Sequence, residues 1–178
     1  MKVRRARASD AAAIHAIISG YAAAGILLPR ALEEIRRHAP RFLVLVDEEA
    51  SDGSGAPSVC GCVALEPYGP ALVEVRSLAI LPARRGAGLG RRLLTAGIRA
   101  AKQQGFERVF AVASSPQFFL RHGFTLSSRH ALPEKIARDC CTCPKERTCR
   151  LTAVVMPLKS RRSALSILGQ EMKTTAVI

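Results

Sequence analysis

The chain has 178 residues, 48% of them hydrophobic, which suits a single domain with a substantial core. No apolar run approaches the ~20 residues of a membrane span, so we expect no membrane partner. The formal net charge of +13 favours anionic partners such as CoA, nucleotides or small dicarboxylates, whereas the absence of Trp leaves no stacking platform for single-stranded nucleic acid and argues against that partner.

The hydrophobic pattern predicts a mixed α/β domain in which a meander of strands precedes a β-α-β unit. In chain order, the predicted strands cover residues 2–7, 41–47, 59–65, 71–80, 108–113, 124–126 and 151–156. The predicted helices cover residues 10–20, 30–38, 88–104 and 116–121. Asp52 to Gly55 is typical of a hairpin turn. We expect one domain over residues 1–158, followed by a tail at 159–178 to which we assign no structure.

The basic start of the chain and the alanine-rich stretch after it resemble a secretory signal only superficially. Ser9 and Asp10 are typical of a helix N-cap, and His15 and Ser19 interrupt the apolar run that a signal needs. We therefore expect no export signal and a cytoplasmic location.

Three glycines, Gly86, Gly88 and Gly90, lie between a predicted strand and a predicted helix. A strand, a tight turn and a helix in this order leave unpaired amides at a helix start, where a phosphate or diphosphate binds well. Arginines at 84, 85, 91 and 92 add positive charge. The spacing is neither that of a dinucleotide-binding fold nor that of a P-loop. The alternative is a tight structural connection without a ligand.

The motif Arg85-Gly-Ala-Gly-Leu-Gly90 resembles the acyl-CoA signature Arg/Gln-x-x-Gly-x-Gly/Ala of GNAT acetyltransferases. Phe118-Phe-Leu-Arg-His-Gly-Phe124 is similar to the second landmark of that superfamily. Residues 21–30, 74–78, 132–136 and 139–144 resemble short bacterial N-acetylglutamate synthase-like proteins. The resemblance implies a mixed, largely antiparallel central sheet flanked by helices.

This resemblance implies acetyl-CoA as the donor. The diphosphate would bind the amides of the glycine turn, which are those of Arg85, Gly86, Ala87, Gly88, Leu89, Gly90 and Arg91. The strand edge at Leu78, Ala79 and Ile80 would pair with the pantetheine amides, as an added strand does. An amide near Ala79 would polarise the thioester carbonyl.

Glu74 matches a strand-four glutamate that serves as general base in some GNAT relatives. If no bulge intervenes, strand alternation places Glu74, Arg76, Leu78 and Ile80 on one face. The alternative interpretation is that Glu74 only forms an ion pair with Arg76 or a neighbouring strand. Many relatives carry a tyrosine as general acid where this chain has Phe119, so the acid is unassigned; Ser114 or water could serve, or no acid is needed.

Three cations are candidates for binding a substrate carboxylate, namely Arg30, Arg76 and Lys135. A dicarboxylate needs at least two such groups. The resemblance therefore implies an N-acetyltransferase acting on the α-amino group of L-glutamate, in arginine biosynthesis, with a homodimer as one option for assembly. The alternatives are acetylation of another amine, such as a different amino acid or a protein, and a non-catalytic module that binds acyl-CoA or RNA.

The six cysteines do not form a disulfide framework, and we expect reduced thiols. Cys140, Cys143 and Cys149 leave two interpretations open, a structural zinc site or reduced thiols that pack a loop. Cys60 and Cys62 are predicted to lie on one face of a strand in the core.

Overall fold

The computed structural model describes residues 1–51, 57–143 and 146–158. The predicted turn at 52–55 and the predicted tail at 159–178 lie outside the described residues. Seven strands form one sheet: β1 (Lys2–Arg5), β2 (Phe42–Ser51), β3 (Pro57–Pro67), β4 (Leu72–Ile80), β5 (Arg108–Ala113), β6 (Thr125–Ser127) and β7 (Thr152–Pro157). The helices are α1 (Ala11–Ala23), α2 (Leu32–Arg37), α3 (Leu89–Gln103), α4 (Gln117–Leu120) and α5 (Pro133–Lys135), which continues as a π-helical turn over Ile136–Cys140.

The strands follow the order β1-β2-β3-β4-β5-β7-β6, and every neighbouring pair is antiparallel except β4 and β5. The predicted meander and the predicted β-α-β unit, β4-α3-β5, are both confirmed. The insertion of β7 between β5 and β6 was not predicted. No helix within the described residues is long and apolar enough to cross a bilayer.

Helices cover both faces of the sheet. On one face, α3 buries an apolar stripe that includes Leu93 and Leu94 against β2, β3 and β4. On the other face, α1 and α2 bury Ile14, Ile18 and Ile35. Burial of each such side chain contributes roughly 1.5–3 kcal/mol, so the two apolar stripes fix the helices on the sheet.

Strands β4 and β5 diverge soon after they begin to pair. Their parallel register covers only Leu72–Glu74 against Arg108–Phe110. No strand of the described chain pairs with this edge of β4 beyond Glu74. The second half of β4 therefore presents unpaired backbone groups along an open edge that leads toward the start of α3.

A bulge interrupts β4 between Arg76 and Ala79. Cys62 pairs with Ala79 but Ala64 pairs with Arg76, so β4 contains one extra residue, and Ser77 adopts a φ of 50°. The expectation that Glu74, Arg76, Leu78 and Ile80 share one face is therefore wrong. Leu78 and Ile80 pack with the α3 side of the core, as Val73 and Val75 do, so alternation places Glu74 and Arg76 on the opposite face.

A second bulge, in β3, separates the two strand cysteines. Leu45 pairs with Gly61 and Val46 pairs with Val59, so Cys60 is the extra residue. Both thiols are buried, as predicted, but Cys60 packs with the α3 side and Cys62 with the α1 side. The prediction of a shared face is wrong because the inserted residue reverses the alternation.

Candidate active site

The glycine turn connects the end of β4 to α3. Gly86 and Gly88 have φ values of 88° and 68°, a left-handed conformation that favours glycine. A Cβ atom at either position would meet nothing within 4 Å, so the backbone conformation, and not crowding, calls for glycine there. Gly90 has an ordinary φ, and a Cβ atom there would lie 3.6 Å from the Phe118 ring.

The amides of this turn are free. Among the described residues, no acceptor takes a hydrogen bond from the backbone N–H groups of Gly86 to Arg91. The first helical bond runs from the Arg92 amide to the Gly88 carbonyl at 3.1 Å. Of the predicted set, only the Arg85 amide is already used, since it donates to the Pro82 carbonyl at 3.2 Å. Six successive donors are therefore unpaired at the start of α3, where the positive end of the helix dipole lies.

The predicted pantetheine edge lies at the end of β4. Leu81 donates its amide to the Cys60 carbonyl at 2.8 Å, and Ala79 is in register with Cys62. Antiparallel alternation then turns the backbone groups of Ala79 toward β3 and those of Ile80 toward the open edge. An amide that polarises a thioester on this edge would consequently belong to a neighbour of Ala79.

Glu74 lies at the centre of a buried ion cluster. Its side chain is only 4% exposed, and its carboxylate accepts hydrogen bonds from Lys135 Nζ at 2.9 and 3.1 Å, while the Tyr68 hydroxyl lies 2.9 Å from the same carboxylate. Arg76 Nε lies 3.2 Å from Glu74 Oε2. The structure thus contains the Glu74–Arg76 ion pair that the sequence suggested as an alternative to a general base, and Lys135 is a further partner of Glu74.

Asp139 completes this cluster from the π-helical turn. It lies 2.7 Å from Lys135 Nζ, 2.6 Å from the Tyr68 hydroxyl and 3.3 Å from Arg76 Nη2. Burial acts to raise the pKa of Asp139, but the hydrogen bonds from Lys135 and Tyr68 outweigh it and hold that pKa well below its usual range. Burial, followed by the charge of Glu74, raises the pKa of Tyr68, so its proton stays in place.

Arg30 forms a second cluster beside the first. Its side chain is 10% exposed, and its Nε donates to Glu34 at 3.2 Å. Glu66 accepts from Arg41 at 2.7 Å and lies 4.0 Å from Arg30. One nitrogen of Arg30, Nη1, is buried and has no hydrogen-bond partner in the part of the chain that the structure describes.

The two clusters are in electrostatic contact. The hydrogen bond from Arg30 lowers the pKa of Glu34, although burial opposes it, and the charge of Arg76 lowers that pKa further. Arg138 bridges the clusters, since it lies 3.2 Å from Glu66 and 3.3 Å from Asp139.

The structure therefore brings the predicted cations Arg30, Arg76 and Lys135 into one region. Five cations meet four carboxylates there, which leaves one net positive charge: Arg30, Arg41, Arg76, Lys135 and Arg138 against Glu34, Glu66, Glu74 and Asp139.

The sequence singled out three of the five cations of this region but missed most of their partners. Asp139 follows Lys135 by four residues, which is the spacing of an ion pair on a helix, but the helical segment itself was not predicted. Tyr68 belongs to the turn between β3 and β4, where nothing in the local pattern indicates a buried hydroxyl.

The motif from Phe118 to Phe124 contributes aromatic packing but contains no hydroxyl group. Phe119 is 8% exposed and forms edge-to-face contacts with Phe118 and Phe124 at 5.4 and 5.3 Å between ring centroids. Ser114 is exposed just after β5. Neither Phe119 nor Ser114 therefore provides a buried side chain that would act as the general acid.

The cysteines do not form a metal site in the described residues. No group of three or more His, Cys, Asp or Glu side chains converges there in a way that would hold a metal ion, and all six thiols are free. A zinc site at Cys140, Cys143 and Cys149 is therefore not supported. Burial raises the pKa of Cys62 to about 12 and also raises that of Cys140, so both stay protonated at neutral pH.

Comparison with known proteins agrees with this geometry. Residues 13–124 match the Acetyltransferase (GNAT) family. The chain is 38% identical over 156 residues to an uncharacterized N-acetyltransferase of Chlorobaculum tepidum, a match that spans 88% of this chain and 96% of the relative. It is 37% identical over 123 residues to the amino-acid acetyltransferase of Mycobacterium tuberculosis, covering 69% of this chain and 67% of that protein.

A solved structure shows the same fold. The N-acetylglutamate synthase of Neisseria gonorrhoeae, complexed with coenzyme A and N-acetyl-glutamate, superposes with a TM-score of 0.75 at 29% identity. The match covers 88% of this chain but only 35% of that one, so this chain spans about a third of the synthase. The family match, the named relatives and the seven-stranded, mostly antiparallel sheet identify an acyltransferase. The chain belongs to the GNAT acetyltransferase family and is an N-acetyltransferase with acetyl-CoA as donor.

Proposed function

We propose that the protein acetylates the α-amino group of L-glutamate. The observation that carries this proposal is the unpartnered Nη1 of Arg30, which is buried in a region with one net positive charge. A buried guanidinium nitrogen without an acceptor costs free energy, and a carboxylate from a bound substrate would supply that acceptor. The amino-acid acetyltransferase and N-acetylglutamate synthase relatives support an amino acid as acceptor. N-acetyl-L-glutamate as product would place the reaction in arginine biosynthesis in the cytoplasm.

The donor would lie along β4 and across the glycine turn. The free amides from Gly86 to Arg91 would hold its diphosphate, and the open edge at Leu78 and Ile80 would pair with its pantetheine amides. Two substrate carboxylates call for two cationic groups. Arg30 would bind one of them through Nη1, and Arg76, whose side chain is 25% exposed, would bind the other.

The reaction joins the substrate nitrogen to the acetyl carbon and breaks the carbon–sulfur bond, while the amine proton leaves and the thiolate departs. The contacts of Glu74 favour a positioning role, because its carboxylate is already engaged by Lys135 and Tyr68 and forms an ion pair with Arg76, so it does not face the acceptor as a free group. We propose that Glu74 orients Arg76 toward the acceptor and that water takes the amine proton. Glu74→Gln distinguishes the roles: a general base predicts loss of turnover at pH 7 that high pH restores, whereas an orienting anion predicts a higher KM for glutamate at every pH.

The experiment that tests the acceptor is a panel assay. The purified protein is incubated with acetyl-CoA and each amino acid in turn, and the released thiol is followed. We expect glutamate to give the highest kcat/KM, above glutamine, which has the same shape but only one carboxylate. A preference for a neutral or cationic amine would contradict the proposal and would favour a different amino acid or a protein amine.

A further inference from the structure

Tyr21 joins three segments of the candidate active site. Its hydroxyl donates a hydrogen bond to the Ile80 carbonyl and accepts one from Arg85 Nε at 2.9 Å. The Arg85 guanidinium lies over the Tyr21 ring, 4.9 Å from its centroid. The Tyr21 carbonyl accepts the Ile26 amide at 2.9 Å and the Leu27 amide at 3.4 Å, which closes the loop that leads to Arg30.

These contacts restrain two groups that have few other restraints, the outward carbonyl of Ile80 and the side chain of Arg85. Ile80 ends the part of β4 that has no strand partner on the β5 side, so its outward carbonyl depends on Tyr21 for a hydrogen bond. Arg85 is exposed, and an exposed long side chain loses rotamer entropy when it is held in one geometry. The Tyr21 hydroxyl and ring both restrain it. The result is a fixed spacing between the open edge of β4 and the free amides of the glycine turn.

We propose that Tyr21 is a positioning residue for the donor. It holds the end of β4 and the glycine turn at the separation that lets one acyl-CoA molecule contact the strand edge with its pantetheine and the amides with its diphosphate. This inference rests on the proposed donor site. A preformed spacing lowers the entropy that must be lost on binding, so Tyr21 acts on donor affinity and not on the acetyl-transfer step.

Replacement of Tyr21 by Phe isolates the hydroxyl. The ring remains under Arg85, while the bonds to the Ile80 carbonyl and from Arg85 Nε are lost. We expect the Kd for CoA and the KM for acetyl-CoA to rise about tenfold, which corresponds to a loss of about 1.4 kcal/mol in donor binding when the spacing is no longer preformed. The kcat at saturating donor and the KM for the acceptor should change less than about twofold, since neither reflects donor docking.

The chain supplies its own matched control, because it has only two tyrosines. Tyr68→Phe removes the other tyrosine hydroxyl, which is buried in the acceptor region with Glu74 and Asp139. Titration calorimetry with CoA should show weaker binding for Tyr21→Phe and unchanged binding for Tyr68→Phe. Thermal unfolding of the same samples should show a smaller CoA-induced rise in Tm for Tyr21→Phe.

A double-mutant cycle with Arg85→Ala gives a second readout. If Tyr21 acts partly through Arg85, Tyr21→Phe should weaken CoA binding less in the Arg85→Ala background than in the wild type. An unchanged Kd for CoA in Tyr21→Phe, or equal weakening in both tyrosine variants, would overturn the inference and leave the donor site intact. A wild-type protein that does not bind CoA would overturn both the inference and the proposed function.

Discussion

Lys135 and Glu74 are 61 residues apart in the sequence, and the Lys135 ammonium donates to both carboxylate oxygens of Glu74. This contact joins the helical segment after β6 to the first half of β4. It places the Lys135 ammonium on the same carboxylate as Arg76, in the region where we propose that the acceptor binds. The stability of the domain and the geometry of its acceptor region therefore depend on the same ion cluster.

Removal of the Lys135 ammonium should destabilise the protein. In Lys135→Met, the Glu74 carboxylate stays buried and loses its strongest donor, so we expect a loss of about 2–4 kcal/mol in the free energy of unfolding. Urea denaturation at pH 7 measures this loss. Lys102→Met on the exposed surface of α3 is the control, and it should change the free energy of unfolding by less than about 0.5 kcal/mol. Equal effects of the two substitutions would contradict the importance of the buried pair.

The stabilisation from Asp139 should disappear in acid. Its pKa is lowered in the folded protein, so its contribution to stability is complete above the unfolded-state pKa of about 3.9 and is lost as the pH falls through the folded-state value. Asp139→Asn should therefore be less stable than the wild type at pH 7, and the difference should shrink steadily below about pH 4. Urea denaturation at pH 7, 5, 4 and 3 tests this. A difference that grows in acid would show that the sign is wrong.

Removal of the Arg30 guanidinium should change acceptor recognition more than turnover. In Arg30→Met, we expect the KM for glutamate to rise about 10- to 100-fold, since a charge-assisted carboxylate contact contributes on the order of 1.5–3 kcal/mol. The KM for acetyl-CoA should be unchanged. Arg37→Met, an exposed arginine of the neighbouring helix, is the control. A KM for glutamate that is the same in both variants would remove Arg30 from the acceptor site.

Insertion of a side chain at Gly88 should weaken donor binding. Gly88→Ala must adopt a φ near 68°, which costs roughly 1–2 kcal/mol for an L-residue, or else shift the free amides. We expect the Kd for CoA to rise at least about tenfold. Gly20→Ala in α1, where an added Cβ atom meets nothing and φ is not positive, should leave that Kd unchanged. Calorimetry with CoA compares the two, and wild-type affinity in Gly88→Ala would contradict the donor site.

Local patterns predicted much of the fold. The spacing of Leu89, Leu93 and Gly97 predicted α3 to within one residue at each end, and the apolar run in β5 predicted Arg108–Ala113 without error. The bulge at Ser77 was not predicted, because a single inserted residue in an alternating strand leaves no mark in the period of two. Its consequence was large, since it moved Leu78 and Ile80 to the other face from Glu74.

The candidate active site also has one part that the sequence predicted and one part that it did not. The glycine turn is a local feature, and its free amides follow from strand, turn and helix in succession. The acceptor region is assembled from segments far apart in the chain, so the sequence identified Arg30, Arg76, Lys135 and Glu74 but not the partner carboxylates Glu34, Glu66 and Asp139. The segment after Leu132 has no helical periodicity of its own, and its helical turns are held by the contacts of Lys135 and Asp139 with Glu74 and Tyr68.

A crystal structure of the protein with acetyl-CoA would show directly whether the glycine turn binds the donor. We expect diphosphate oxygens within about 2.7–3.2 Å of amides between Gly86 and Arg91, with the pantetheine extended along the edge of β4. A donor bound elsewhere on the protein, with these six amides facing solvent, would contradict it.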